Sequence, residues 1–318
     1  MEDDVFLVDI ICPVYNKSKL IKTFLESFKK NLPEKYFNLI LINDGSTDDT
    51  KNIVSYYLCK NIKMHDKINE GVSIARNKGL ELSKSKYVWF CDPDDEIIID
   101  GMHILNIIEK NKADLYVFSY VESHVTGSFS KRYDLSDNEN ITFIDYFQKY
   151  SYFNESNGIS TLWNKIFARS AIKNIMFDGT LSNAEDRMFN TEVLMNDGNC
   201  FVSNIPIYNH IIYDQGTLST VRSISKIENI KRVNDYNIRL LSELKKDVTF
   251  ERKMSIIILC KEYLLMGHKS VFKFYFEQHL TQKVKIFPLI KASEFLFMLP
   301  MNAFIYKILK KTRKLFIK

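Results

Sequence analysis

Apolar residues along this chain cluster in short runs with two different periods. Residues 5–12, 37–42, 87–91 and 115–120 are largely aliphatic or aromatic runs of strand length, and 62–65 reads as a short strand between them. Runs with no polar alternation predict strands buried on both faces. Between them the period lengthens. In 18–30, Leu20, Phe24 and Phe28 recur at helical spacing, and 73–83 and 97–111 read the same way. After the second run Asn43-Asp44-Gly45 breaks the chain. Ser46 and Asp49 then have capping-box spacing, with Asp in place of the usual Glu, and predict the start of another helix. Strands alternating with helices at this spacing predict an α/β fold, a mostly parallel, doubly wound sheet.

Beyond Tyr120 the alternation fades. Residues 123–160 are polar and mixed, and the pattern assigns them no element. Segments 161–171 and 185–195 read as helices, and 205–219 as short strands and loop. From Ile224 onward the period is helical to the end. The expected organisation is an α/β domain over 1–220 and an α-helical C-terminal appendage over 221–318.

Composition narrows the class. The chain has 318 residues, 46% of them apolar, enough for a large core. The five cysteines, Cys12, Cys59, Cys91, Cys200 and Cys260, are scattered, odd in number and free of any C-x-x-C, which fits a reducing cytosol. The acidic N-terminus does not read as a signal peptide, and no apolar run reaches the ~18–20 residues that span a bilayer. The net charge of +5 is uneven. Residues 283–318 carry nine Lys or Arg and one acid, which leaves 35 basic against 38 acidic residues before them. A near-neutral body argues against a nucleic-acid partner. Residues 302–318 project as an amphipathic helix. Phe304, Ile305, Ile308, Leu309, Leu315 and Phe316 fall on one side, with lysines on the other. That pattern suits an anionic membrane surface, with about 1 kcal/mol from each Lys near the lipid. The competing reading packs the apolar stripe on the body.

The chemistry concentrates where the fourth run ends. Tyr87-Val-Trp-Phe-Cys91 gives way to Asp92, Asp94 and Asp95, with Pro93 fixing the turn. Three carboxylates at a strand mouth repel one another unless a cation offsets them, and hard divalent ions take carboxylate and phosphate oxygens. The mouth of a parallel strand is also where open α/β sheets bind ligands.

Six segments then add up. They are Ile11-Cys-Pro13-Val14-Tyr15-Asn16, Ile42-Asn43-Asp44-Gly45-Ser46-Thr47-Asp48, Asn69-Glu-Gly71 with Ala75-Arg76-Asn77, Phe90-Cys-Asp92-Pro-Asp94-Asp95, Trp163-Asn164-Lys165 and Ala184-Glu185-Asp186. In this order and spacing, over about residues 8–220, the chain resembles a family 2 glycosyltransferase of GT-A fold, of the bacterial surface-polysaccharide type. The resemblance implies a nucleotide-sugar donor, a UDP-sugar, and a glycan or lipid-linked acceptor.

It also implies roles. Pro13, Val14, Tyr15 and Asn16 would border the base, and Asp44 would accept from the uracil N–H. Asp92 would lie near the ribose and Asp94 on Mn²⁺ or Mg²⁺. Arg76 would contact a phosphate or pair with Asp92 or Asp95, and Asp95 would buttress the loop. Asp186 would be the base of an inverting transfer, with Glu185 beside it. His210 would reach the metal or the diphosphate. On the acceptor side Trp163 would stack on a sugar and Lys165 pair with a site carboxylate. Plainer readings stand beside these: Asp44 as a turn residue, Arg76 as a structural ion pair, Glu185 and Asp186 as helix-start acids capped by Asn183, and His210 and Trp163 as core. Two rival functions follow. A sugar nucleotidyltransferase would want a glycine-rich loop after the first strand, where this chain has Pro-Val-Tyr-Asn. A non-catalytic, membrane-associated nucleotide-sugar binder would lack the base or the metal ligand, and Asp92, Asp94 and Asp186 are all present.

Overall fold

A computed structural model of the protein describes residues 6–135, 138–150, 158–213 and 223–266. The 302–318 helix expected from the sequence lies outside these residues. The chain divides into two compact units, Met1–Gly216 and Thr217–Lys318.

The first unit is built on one mixed sheet. Its leading strands are β1 (Val8–Val14), β2 (Phe37–Asp44), β3 (Ile62–Lys67) and β4 (Tyr87–Phe90), paired in the order β3-β2-β1-β4, all parallel. Helices α1 (Ile21–Asn31), α2 (Thr50–Ser55) and α3 (Val72–Leu82) make the crossovers. Every residue of β1, β2 and β4 is buried, as strands covered on both faces must be. α3 lies close on β1 because Gly79 has no side chain: a Cβ there would sit well inside contact distance of Ile11 Cγ2.

The sheet continues through β5 (Glu96–Ile97), β6 (Leu115–His124), β7 (Ser130–Tyr133), β8 (Glu139–Thr142), β9 (Lys165–Ala168) and β10 (Asn199–Ile212). β9 runs antiparallel between β4 and β6 and joins the two halves. β10 lies parallel to β6 and antiparallel to the short β5. The remaining helices of this unit are α4 (Gly101–Asn111), α5 (Phe143–Lys149), α6 (Arg169–Ile172) and α7 (Glu185–Leu194).

Four local expectations change. Segment 161–171 is strand β9 followed by the single turn α6, because all four residues of β9 are buried and Ile166 and Phe167 are laddered on both sides. The helix expected over 97–111 starts at Gly101. Ile97 is instead paired with Tyr208, and Asp100 caps the helix by accepting from Met102 N–H. Ser46 and Asp49 form no capping box: Ser46 Oγ accepts from Asn16 N–H, and Asp49 makes no side-chain cap. Where short strands were expected from 205, β10 runs unbroken from Asn199, with register shifts around Pro206, which has no N–H to give.

In the second unit α8 (Ile224–Glu243) packs on α9 (Thr249–Leu265) through Ile227, Leu259 and Tyr263. Asn234 Nδ2 donates to Ser255 Oγ at 2.8 Å within this packing. Among the described residues no helix is long and apolar enough to cross a membrane.

Candidate active site

β1 is flanked by β2 on one side and β4 on the other, so the crossovers diverge at its C-terminal end. That divergence opens a crevice at the strand mouths. Three turns line it. After β1, Val14 is buried and Tyr15 is 46% exposed. Asn16 turns left-handed (φ 50) and ties this turn to the next: its Oδ1 accepts from Thr47 N–H at 2.8 Å. After β2, buried Asp44 accepts from Lys67 Nζ at 2.6 Å, Gly71 N–H at 2.8 Å and Glu70 N–H at 3.1 Å. It thereby holds the β3–α3 turn.

The third turn follows β4. Asp94 pairs with Lys17 Nζ at 2.6 Å, and Asp92 with Arg76 at 3.2 Å. Asp95 is buried, accepts from Ile211 N–H at 2.8 Å and lies 3.3 Å from His210 Nδ1. It makes no pair with Arg76. Burial raises the Asp95 carboxyl to about 6, against the pull of the His210 hydrogen bond. Burial lowers the His210 imidazole, but the hydrogen bond and charge of Asp95 outweigh it and raise it to about 9.

Arg76 is the buried hub. One guanidinium nitrogen reaches Asp186 at 2.7 Å and Glu185 at 3.0 Å, the other Asp92. α3 and α7 are thus pinned together at the mouth across 109–110 residues of chain. α7 begins there because Ala184 adopts the left-handed conformation (φ 61, ψ 11) as N-cap. It makes no side-chain cap bond, so Asn183 is not the cap. Three carboxylates share one cation. Burial pushes the Asp186 carboxyl well up, Arg76 pulls it down, and Glu185 and Asp92 push it up again. Burial likewise raises Asp92, with Arg76 opposing and Asp94 adding to the rise.

Behind this lie the acceptor-side residues. Trp163 is 7% exposed. Its ring runs near-parallel to Tyr208 (5.2 Å) and to His210 (5.3 Å), so it is a core ring that supports His210. Lys165 is fully buried and has no carboxylate partner. Its Nζ donates to Thr161 O (2.6 Å), Asn164 Oδ1 (3.0 Å) and Thr161 Oγ1 (3.2 Å). Burial lowers it to about 7, although the charge of Asp186 opposes the drop. Among the described residues no three His, Cys, Asp or Glu side chains converge as a ready-made metal cage. Asp94, Asp92 and His210 are turned to Lys17, Arg76 and Asp95 respectively.

The family model for glycosyl transferase family 2 matches residues 9–176, more than half of the chain. The chain belongs to that family. This family 2 glycosyltransferase is 23% identical to EpsH of Bacillus subtilis, which is named as a glycosyltransferase, over 267 residues, 81% of this chain and 76% of EpsH. It is 29% identical to the poly(ribitol-phosphate) β-N-acetylglucosaminyltransferase TarP of Staphylococcus aureus over 214 residues, 65% of this chain and 63% of TarP. Against some longer relatives it spans about a fifth, as with a Rickettsia bellii glycosyltransferase, 34% identical over 139 residues and 19% covered. The crystal structure of S. aureus TarS 1-349 in complex with UDP-GlcNAc superposes with a TM-score of 0.64 at 20% identity, covering 98% of this chain and 92% of that one. The fold is therefore of the GT-A type.

The glycosyltransferase site includes residues that the sequence reading passed over. Lys17 and Lys67 neutralise Asp94 and Asp44, and Tyr208 and Tyr213 bond the acidic turn. Lys17 in the turn after β1 and Lys67 at the end of β3 could have been found, since each sits at a strand mouth opposite an acid. The tyrosines could not, because β10 was read as broken.

Proposed function

We propose that this glycosyltransferase moves a sugar from a UDP-sugar to a glycan or lipid-linked acceptor, with inversion and with a divalent cation. The observation that carries the reading is the convergence of Asp92, Arg76 and Asp186 at the switch-point crevice. An ionised carboxylate offers about four lone-pair sites, and Asp44 has three engaged, which leaves one for the N3–H of uracil. TarS was crystallised with UDP-GlcNAc and with UDP, which supports the same donor class here.

The donor set suits Mn²⁺ or Mg²⁺. Asp92 and Asp94 would give hard oxygens and the donor diphosphate the rest of the shell. Asp95 on Nδ1 of His210 would turn Nε2 toward a metal, which would have to displace the proton that Asp95 stabilises on the ring. When bound, such an ion supplies Lewis-acid stabilisation of the departing diphosphate. Arg76 keeps Asp186 and Asp92 aimed at the crevice and limits their repulsion. Asp186 takes the proton of the acceptor hydroxyl as its oxygen bonds to the anomeric carbon, and the nucleoside diphosphate leaves with the bonding pair. One base and no protein nucleophile give a single displacement and an inverted centre. A carboxyl raised by burial is a stronger base than an ordinary one, which suits the task.

Relatives named for surface-polymer assembly, TarP and the minor teichoic acid biosynthesis protein GgaB, support a cell-surface polymer or its lipid-linked precursor as acceptor. The basic tail supports work at the cytoplasmic face of the membrane. The test is Asp186→Asn against a panel of UDP-sugars. UDP binding stays near wild type while sugar release or transfer falls about 10²–10⁴-fold. A variant retaining more than about a tenth of the rate removes Asp186 from the mechanism, since losing a general base costs at least ~10²-fold.

A further inference from the structure

The acidic turn has little strand pairing of its own. β4 stops at Phe90, and β5 is two residues long. α1 holds the far end of the turn, where Ser27 Oγ accepts from Ile97 N–H at 3.1 Å and Asn31 Nδ2 donates to the Ile97 carbonyl at 2.6 Å. The main chain of Asp92 and Asp94 is held from β10 and the residue after it, more than a hundred residues later. Tyr208 Oη accepts from Asp92 N–H at 2.9 Å and lies 3.3 Å from the Asp92 carbonyl. Tyr213 Oη donates to the Asp94 carbonyl at 3.0 Å. Ile211 N–H donates to Asp95, Asn209 Nδ2 to Glu96 Oε2 at 3.0 Å, and Ile98 N–H to the Ile207 carbonyl at 3.1 Å. The two phenols fasten the main chain of the two aspartates whose carboxylates face the crevice. Tyr208 is itself immobilised: its ring is fully buried, and it stacks on Trp163.

We infer that Tyr208 and Tyr213 are positioning residues for the donor- and cation-binding turn, fixing the backbone from which Asp92 and Asp94 project. The inference deepens the functional reading above and rests on it. Both phenol oxygens are bonded to the main chain of the turn. Each acts through a peptide group, as outer partners of metal ligands do. The hydroxyls matter more than the rings, because removing one leaves the backbone of Asp92 or Asp94 without its partner.

The test is calorimetric UDP binding to the full chain across a Mn²⁺ titration, for wild type, Tyr208→Phe, Tyr213→Phe and Tyr116→Phe. Tyr116 is the control: equally buried, it bonds Ala113 N–H and the Ile108 carbonyl, away from the turn. The Mn²⁺ concentration for half-maximal UDP binding should rise about 10–100-fold in the first two variants, the usual effect of losing an outer partner. It should stay unchanged in Tyr116→Phe, although all three lower the melting temperature. Tyr213 is only partly buried, so its variant carries the test if Tyr208→Phe does not fold. Mn²⁺ midpoints within twofold of wild type in both site variants would overturn the assignment, as would an equal shift in the control. The wild-type arm separates the two levels. UDP binding that ignores Mn²⁺ there sinks the metal reading itself, and this inference with it.

Discussion

Lys165→Met isolates the effect of a single buried ammonium. Lys165 is fully buried, and its proton is held only below about pH 7, against 10.5 for an ordinary lysine. That gap corresponds to roughly 5 kcal/mol at about 1.36 kcal/mol per pH unit, a ceiling on what the charged form costs the fold. The sign follows from proton counting. Below about pH 7 both folded and unfolded chains hold the proton, and the whole penalty is present. Between about 7 and 10.5 the unfolded chain binds the proton and the folded one does not, so stability rises with pH by up to about 1.4 kcal/mol per unit. Above that window the penalty is gone. Methionine has a similar length and no charge. Its loss of hydrogen bonds is softened, because Thr161 O keeps Asn190 Nδ2 at 3.0 Å and Asn164 Oδ1 keeps Thr161 Oγ1 at 2.8 Å. The assay is urea unfolding of wild type and variant from pH 6 to pH 9. Titrating groups that do not interact with Lys165 cancel in the difference between the two. Wild type should gain on Lys165→Met by roughly 2 kcal/mol between pH 7 and pH 9. A difference that stays flat to within about 0.5 kcal/mol, well under that slope, would show that the ammonium keeps its charge, and the argument from burial would fail.

Arg76→Met removes the cation that bonds Asp92, Glu185 and Asp186 together and should cost about 3–5 kcal/mol in urea unfolding. The low end is expected, since the Asp92 and Asp186 side chains are 30% and 22% exposed, and a cost under about 1 kcal/mol would mean that solvent, not Arg76, carries these charges. Gly79→Ala forces a methyl into Ile11 between α3 and β1 and should lower stability by about 1–3 kcal/mol; an unchanged melting temperature would contradict the close approach. Truncation after Pro300 should abolish sedimentation with anionic vesicles and leave UDP binding intact, whereas equal sedimentation would place the membrane contact elsewhere.

The parallel half of the sheet was legible because β1, β2 and β4 are buried on both faces and their residues are largely apolar. The acidic turn was legible as a turn, since Asp92-Pro-Asp94-Asp95 follows β4 directly. What surrounds it was not. Ile166-Phe-Ala168 fits either period, and only pairing with both β4 and β6 decides for a strand. Pro206 made β10 look broken, which hid the phenols that grip the turn. Residues 123–160 hold β7 and β8, whose residues are exposed or only partly buried and carry no hydrophobic period to detect. Arg76 could be assigned to the mouth, with Asp92 among its expected partners. Its bonds to Glu185 and Asp186 depend on α3 meeting α7, a fact of topology that local pattern does not contain.

The placement of β9 has a consequence for how the chain reaches this structure. β4 and β6 are made before the strand that separates them. While residues 91–164 are being synthesised, at roughly 5–20 residues per second, Tyr87-Val-Trp-Phe90 has β1 on one side and an open edge on the other. An apolar, unpaired edge is a template for wrong partners. The four residues of β9 close it, and they bring the buried Lys165 with them, so the step that covers this edge is also the step that must desolvate an ammonium. Nascent chains that end before residue 165 should therefore depend on chaperones that shield strand edges, and that dependence should vanish once β9 has emerged.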